Sequence, residues 1–257
     1  MRRALLAGCL LLWAAPVFAQ ISAGNSAESH AGTTASTSQA SFDFATAFNG
    51  GSSPEGVAVC TYSLGSATNK ATAVTYGGES MTAVAGGEAT RDGTEDVNAK
   101  LWFLSSPPTG SVTITVTRTN DATPVWASAF AVEAATAAET EVYAAGIVLV
   151  QTASTAAEQN VDDGSPGTNS LRFACIASGA DATDDVGANS SASAAQIDIG
   201  TMTARMVFET TAGQGSRPVG STDTTNVDRA IVHFAVRQVA AAGGSPPRPS
   251  GLALGVF

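Results

Sequence analysis

Residues 112–117 alternate without a break. Val112, Ile114 and Val116 fall on one side of an extended chain, and Thr113, Thr115 and Thr117 fall on the other. Period-two alternation places successive side chains on opposite faces of a strand, so this stretch predicts a half-buried antiparallel strand with one wet face. It closes a longer passage, 72–117, that carries its own turns. Gly77-Gly78 separates two apolar-alternating runs and suits a tight hairpin turn requiring positive φ. Pro107-Pro108-Thr109-Gly110 places proline early and glycine late, as reverse turns prefer. The passage predicts an all-β fold.

The rest of the chain extends the pattern. Strand-like runs occupy 41–48, 57–64, 125–132, 144–151, 171–177, 196–209 and 228–239. In the last, Ile231, His233 and Ala235 alternate with Val232, Phe234 and Val236. Residues 86–98, with Glu88, Arg91, Asp92, Glu95 and Asp96, read as a solvated loop. No long amphipathic helix and no strand–helix–strand rhythm appears. About nine or ten short strands predict an antiparallel β-sandwich, jelly-roll-like, with flexible N- and C-terminal tails.

Residues 1–19 read as a secretory signal peptide. Arg2-Arg3 form a basic start, an apolar run follows, and Val17-Phe18-Ala19 supplies compact residues for cleavage before Gln20. The expected organisation is then a signal peptide (1–19), a flexible N-terminal segment (20–41), a β-sandwich domain (42–240) and a disordered tail (241–257). The expected location is secreted, extracellular or periplasmic, with no integral membrane span after cleavage. The formal net charge of −10 becomes −12 once Arg2 and Arg3 leave. So acidic a surface argues against nucleic acid, whose phosphates require clustered lysine and arginine. Cleavage also removes Cys9, leaving Cys60 and Cys175. An exported chain with two cysteines admits one disulfide, and two buried free thiols are the competing reading.

Within the 72–117 passage, the run from Ala73 through Tyr76-Gly77-Gly78 to Met81-Thr82 and Val84 is followed by Leu101-Trp102-Phe103-Leu104 and Pro107-Pro108-Thr109-Gly110-Ser111-Val112-Thr113-Ile114-Thr115-Val116. Together these resemble the jelly-roll-like β-sandwich modules of exported bacterial proteins and of phage tail or virion surface proteins. The likeness covers about residues 40–240. It implies a surface structural or adhesive role, and it rests on turn and core residues, which speak to fold more than to function.

Chemistry is sparse. After cleavage two histidines remain, His30 in the N-terminal segment and His233 inside the last strand. Nucleophile–base catalysis needs such a base beside a Ser or Cys, and no catalytic residue is assigned. Carboxylate pairs of the glycosidase kind need only Asp and Glu at a set separation, so a carboxylate-based secreted hydrolase stays open. No cofactor is required; calcium is the one left open. It takes oxygen ligands, which Asp162, Asp163, Asp181, Asp184 and Asp185 could contribute, solvated turns being the competing reading. Tyr76 and Trp126 are the candidate ligand-binding aromatics for a glycan or protein surface partner, against core packing. The function expected is a secreted, non-catalytic structural or adhesive surface protein of a cell surface, matrix or virion. A carbohydrate-binding module is the alternative, and a homo-oligomer is compatible with either.

Overall fold

The computed structural model describes residues 21–30, 40–44, 47–52, 54–66, 68–92, 96–119, 123, 125–134, 140–143, 148–156, 159–161, 170–179, 185–186, 192–193, 197–199, 202–209 and 216–238. Among them every regular element is a strand and every strand pair is antiparallel. The expected signal peptide and C-terminal tail lie outside the described residues.

A five-stranded sheet runs in spatial order Ile21–His30, Val125–Ala134, Pro54–Leu64, Val97–Ser105, Thr82–Arg91. Its three inner strands are buried on both faces, and the pleat sorts their side chains. Ala58, Cys60, Tyr62, Leu101, Phe103, Trp126 and Phe130 face one core. Val57, Val59, Trp102, Val125, Ala127 and Ala129 face another. Double-sided burial is why these strands read as near-continuous apolar runs rather than alternating ones.

The first core is closed by an eight-stranded sheet. Its spine is the 18-residue strand Ser221–Gln238, which pairs with Thr140–Tyr143, Val148–Ala156, Ser170–Ser178 and Asp185–Val186. Met202–Phe208 continues the sheet beyond Ser170–Ser178. Phe173, Phe208 and Phe234 from this sheet cluster with Phe130 of the first, with ring centroids 4.2–4.9 Å apart along the chain of contacts. Val232, Phe234 and Val236 face this core, whereas Ile231 and Ala235 face a smaller one on the opposite side, with Ala174, Ile176, Val207 and Val219. The alternation read in 228–239 is therefore real, but both of its faces are covered.

The second core is closed by a four-stranded sheet ordered Ser41–Asp43, Ile114–Arg118, Ala71–Tyr76, Glu79–Ser80. Ile114 and Val116 are buried in it, Val112 packs against it, and Thr117 stays exposed. Gly77 and Gly78 turn the hairpin with φ of 60° and 87°, the double positive φ that favours glycine at both positions.

Three expectations need correction. Among the described residues the strands number twenty-one, against the nine or ten expected, because short bridging pairs such as Phe48–Asn49 with Ser111–Val112 subdivide the runs. The N-terminal segment read as flexible holds the strand Ile21–His30, paired along Val125–Ala134. Backbone hydrogen bonding suffices to seat an edge strand poor in apolar residues. The charged loop read at 86–98 is largely strand: Thr82–Arg91 and Val97–Ser105 form a hairpin, with Glu88 exposed on one face and Arg91 beside Val97 on the other.

Candidate functional site

The two aromatics proposed for ligand recognition are both enclosed. Tyr76 and Trp126 are 0 % exposed. Tyr76 packs edge-on to Phe48 at 6.2 Å between ring centroids. Burial pushes its phenol above the ordinary value of 10.0, and the backbone of nearby Gly50 pulls partly back. The Gly50 N–H itself donates to the Gly110 carbonyl at 3.3 Å, so the Tyr76 hydroxyl has no partner of proper geometry. Trp126 stands opposite Tyr62 in the central sheet and faces the first core. Neither ring offers a platform to solvent. Trp102 is buried as well, with its indole N–H donating to Thr61 Oγ1 at 3.0 Å and Lys100 Nζ 5.0 Å above its ring. Strand pairing decides this: all three aromatics lie on strands covered on both sides or on the inward face.

Cys60 and Cys175 form a disulfide, with Cα atoms 5.8 Å apart. Cys60 belongs to the central sheet and Cys175 to the eight-stranded sheet, and both face the first core. The bond ties two sheets together across 115 residues of sequence. Of the aspartates considered for calcium, Asp162, Asp163, Asp181 and Asp184 lie outside the described residues. The backbone of Asp185 pairs with Thr222. Among the described residues no group of three His, Cys, Asp or Glu side chains is gathered for a metal.

A polar constellation that sequence reading did not single out lies on the far face of the eight-stranded sheet. Glu209, 1 % exposed at its side chain, bridges two arginines. Its Oε2 accepts from Arg172 Nη1 at 3.1 Å and from the Arg172 backbone N–H at 3.2 Å. Its Oε1 meets Arg217 Nη2 at 3.0 Å. Arg172 is fully buried, whereas the Arg217 side chain is 38 % exposed. Arg229 and His233 lie buried on this same face. A signal existed: Arg172 interrupts the apolar run Leu171-Arg172-Phe173-Ala174 at a strand position, and a charge there is buried only when paired. The cluster joins strands and has the chemistry of a structural ion pair.

The concavity with binding character lies at the end of the central sheet. Thr82, Ala83, Val84, Ala85, Phe103, Leu104, Ser105 and Val142 line a groove of about 340 Å³. Its walls are apolar with two hydroxyls, and no titratable side chain lines it. It exists because the edge strand is bulged. Ala83 pairs with Trp102 and Glu88 with Lys100, so residues 84–87 stand against Leu101 alone. Gly86, with φ of 72°, allows that excursion. A groove of this lining can hold apolar matter and offers no acid–base pair. The opposite edge of the sheet is the strand Ile21–His30, whose register also shifts between Ala23 and Ser26. There the Asn25 amide donates to the Asn49 carbonyl at 2.7 Å.

No family model, no curated protein and no solved structure matches this chain. Among the described residues, no helix is long and apolar enough to cross a membrane.

Proposed function

We propose that this protein is an exported, non-catalytic structural or adhesive component of a surface, assembling through the edges of its central sheet. The observation that carries the reading is the disposition of that sheet. Its broad faces are both consumed by cores, while two ten-residue strands, Ile21–His30 and Thr82–Arg91, form its margins. Sheet margins present backbone donors and acceptors on which another strand can pair. We propose as well that the stacked antiparallel sheets form a jelly-roll-like β-sandwich. A signal peptide at 1–19 and the acidic, Ser/Thr-rich composition support export. Burial of Tyr76, Trp102 and Trp126 supports assembly over the carbohydrate-binding alternative.

The test is sedimentation velocity and negative-stain microscopy of the purified protein across a concentration series, run beside a glycan array with calcium and with chelator. Ordered oligomers or fibres, with no glycan retained, are expected. A monomer at every concentration that retains a defined glycan would replace this reading with the carbohydrate-binding one.

A further inference from the structure

We propose that the strand Ile21–His30 is exchanged between copies of this chain, so that one copy's N-terminal strand completes the central sheet of another. The inference rests on the assembly reading above and names its partner, a second copy.

Four observations meet at this strand. Among the described residues it occupies a margin of the central sheet and pairs with Val125–Ala134 alone. What it covers matters: Val125–Ala134 carries Trp126, Phe130 and Val132 into one core and Val125, Ala127, Ala129 and Ala131 into the other. That strand cannot stay bare at its edge without exposing the backbone between two cores, so some strand must fill the place. The strand that fills it brings little of its own. Its sequence, Ile-Ser-Ala-Gly-Asn-Ser-Ala-Glu-Ser-His, holds one large aliphatic residue, Ile21, which is fully buried in the first core. Ser22, Asn25 and Ser26 are exposed. Beside the buried Ile21 and the Asn25 amide bond to the Asn49 carbonyl, attachment comes from the backbone ladder, which any identical strand reproduces. The bulge at Gly24-Asn25 further interrupts that ladder.

Residues 31–40 read Ala-Gly-Thr-Thr-Ala-Ser-Thr-Ser-Gln-Ala. Ten residues fully extended reach about 33–36 Å, enough to cross from one body to a neighbour's sheet edge. Exchange of an identical element costs few contacts, because the same pairing forms in either arrangement. A reciprocal exchange closes a dimer; a sequential one, each copy donating to the next, builds a chain of subunits.

Ser22 and Glu133 provide the test, because they are direct cross-strand partners and neither is fully buried. Antiparallel partners have Cα atoms about 4.5–5.5 Å apart, within disulfide range. Ser22→Cys and Glu133→Cys are prepared in the full chain, singly and together. The double variant reports that the strand is seated, whichever chain supplies it. The two single variants are then co-expressed and resolved without reductant, with linked peptides mapped by mass spectrometry. Exchange predicts a covalent species at twice the chain mass containing a 22–133 link, absent when either single variant is made alone. It predicts as well that the double variant forms linked dimers or longer series. A double variant linked only within its own chain, together with no linked dimer from the co-expressed singles, overturns the exchange. If the unmodified chain still sediments as ordered oligomers in that case, the assembly reading stands on another surface. If it sediments as a monomer, that reading falls as well.

Discussion

Glu209 holds one arginine that is sealed from water and one that reaches it, and the two halves of this bridge should respond very differently to substitution. Glu209→Gln removes the carboxylate charge that faces the buried Arg172 guanidinium at 3.1 Å. Urea unfolding is expected to register a loss of about 3–5 kcal/mol. Arg217→Ala removes a partner that is 38 % exposed and should cost no more than about 1 kcal/mol. Equal effects would mean that Arg172 is compensated without Glu209. Tyr76 offers a test of opposite sign. Its hydroxyl is buried without a well-formed hydrogen bond, so Tyr76→Phe should be neutral or stabilising, by about 1 kcal/mol. Its phenol is held above 10.0 by burial. The folded state thus keeps a proton that the unfolded chain releases near pH 10. Burial penalises the phenolate, so folding stability is unaffected by this group below that pH and falls as pH rises from there toward the higher folded value. Unfolding midpoints measured from pH 9 to 11 should fall more steeply in the unmodified protein than in Tyr76→Phe. Sequence reading saw these residues as chemical types but not their surroundings. Tyr76 beside a Gly-Gly turn could equally have faced water, because the turn fixes the hairpin and not the sheet that covers it.

Hairpins were the most legible elements. Gly77-Gly78 is a turn, and its two positive φ values follow from a requirement visible in the dipeptide itself. Gly78 has open space where a side chain would stand, so Gly78→Ala isolates the backbone cost. About 1–2 kcal/mol should be lost, measured by chemical denaturation, with the fold unchanged. Gly56→Ala should be worse for a different reason, because a methyl there collides with the Phe103 ring, 2.6 Å away. Edge elements were the least legible. The strand Ile21–His30 has no apolar alternation to announce it, since its order comes from pairing with Val125–Ala134, a partner about a hundred residues away in sequence. The same holds for 86–91. Its charges read as a loop, yet Glu88 lies across from Lys100, to which it is bridged at 3.3 Å, and Arg91 reaches Asp228 at 3.3 Å. The stretch looks like a loop because its apolar contribution is small: Ala89 alone of 86–91 joins the first core, while Glu88 is exposed on one face and Arg91, on the face of Ala89, reaches the covering sheet.

For the molecule as a whole, the Cys60–Cys175 bond spans 115 residues and joins the central sheet to the eight-stranded one. Closing so long a loop restricts the unfolded chain by about 5 kcal/mol in the chain-entropy account. Replacing both cysteines with alanine should lower the unfolding midpoint sharply, with strand content in the far-ultraviolet spectrum preserved if the three cores suffice. Loss of all strand signal would show that the bond is required for the sheets to meet. By itself the sequence determined that the chain is built from antiparallel strands, where its tight turns fall, and which side of 114–117 is wet. These are local properties, written in period-two alternation and in the φ demands of glycine and proline. Only the tertiary structure decided that one sheet is covered on both faces, that Trp126 and Tyr76 lie inside, that two distant cysteines meet, and that a polar N-terminal segment becomes a strand. Each of those depends on which sheet stacks on which and on which strand finds an open edge. Pairing across a hundred residues leaves no periodic trace in either partner.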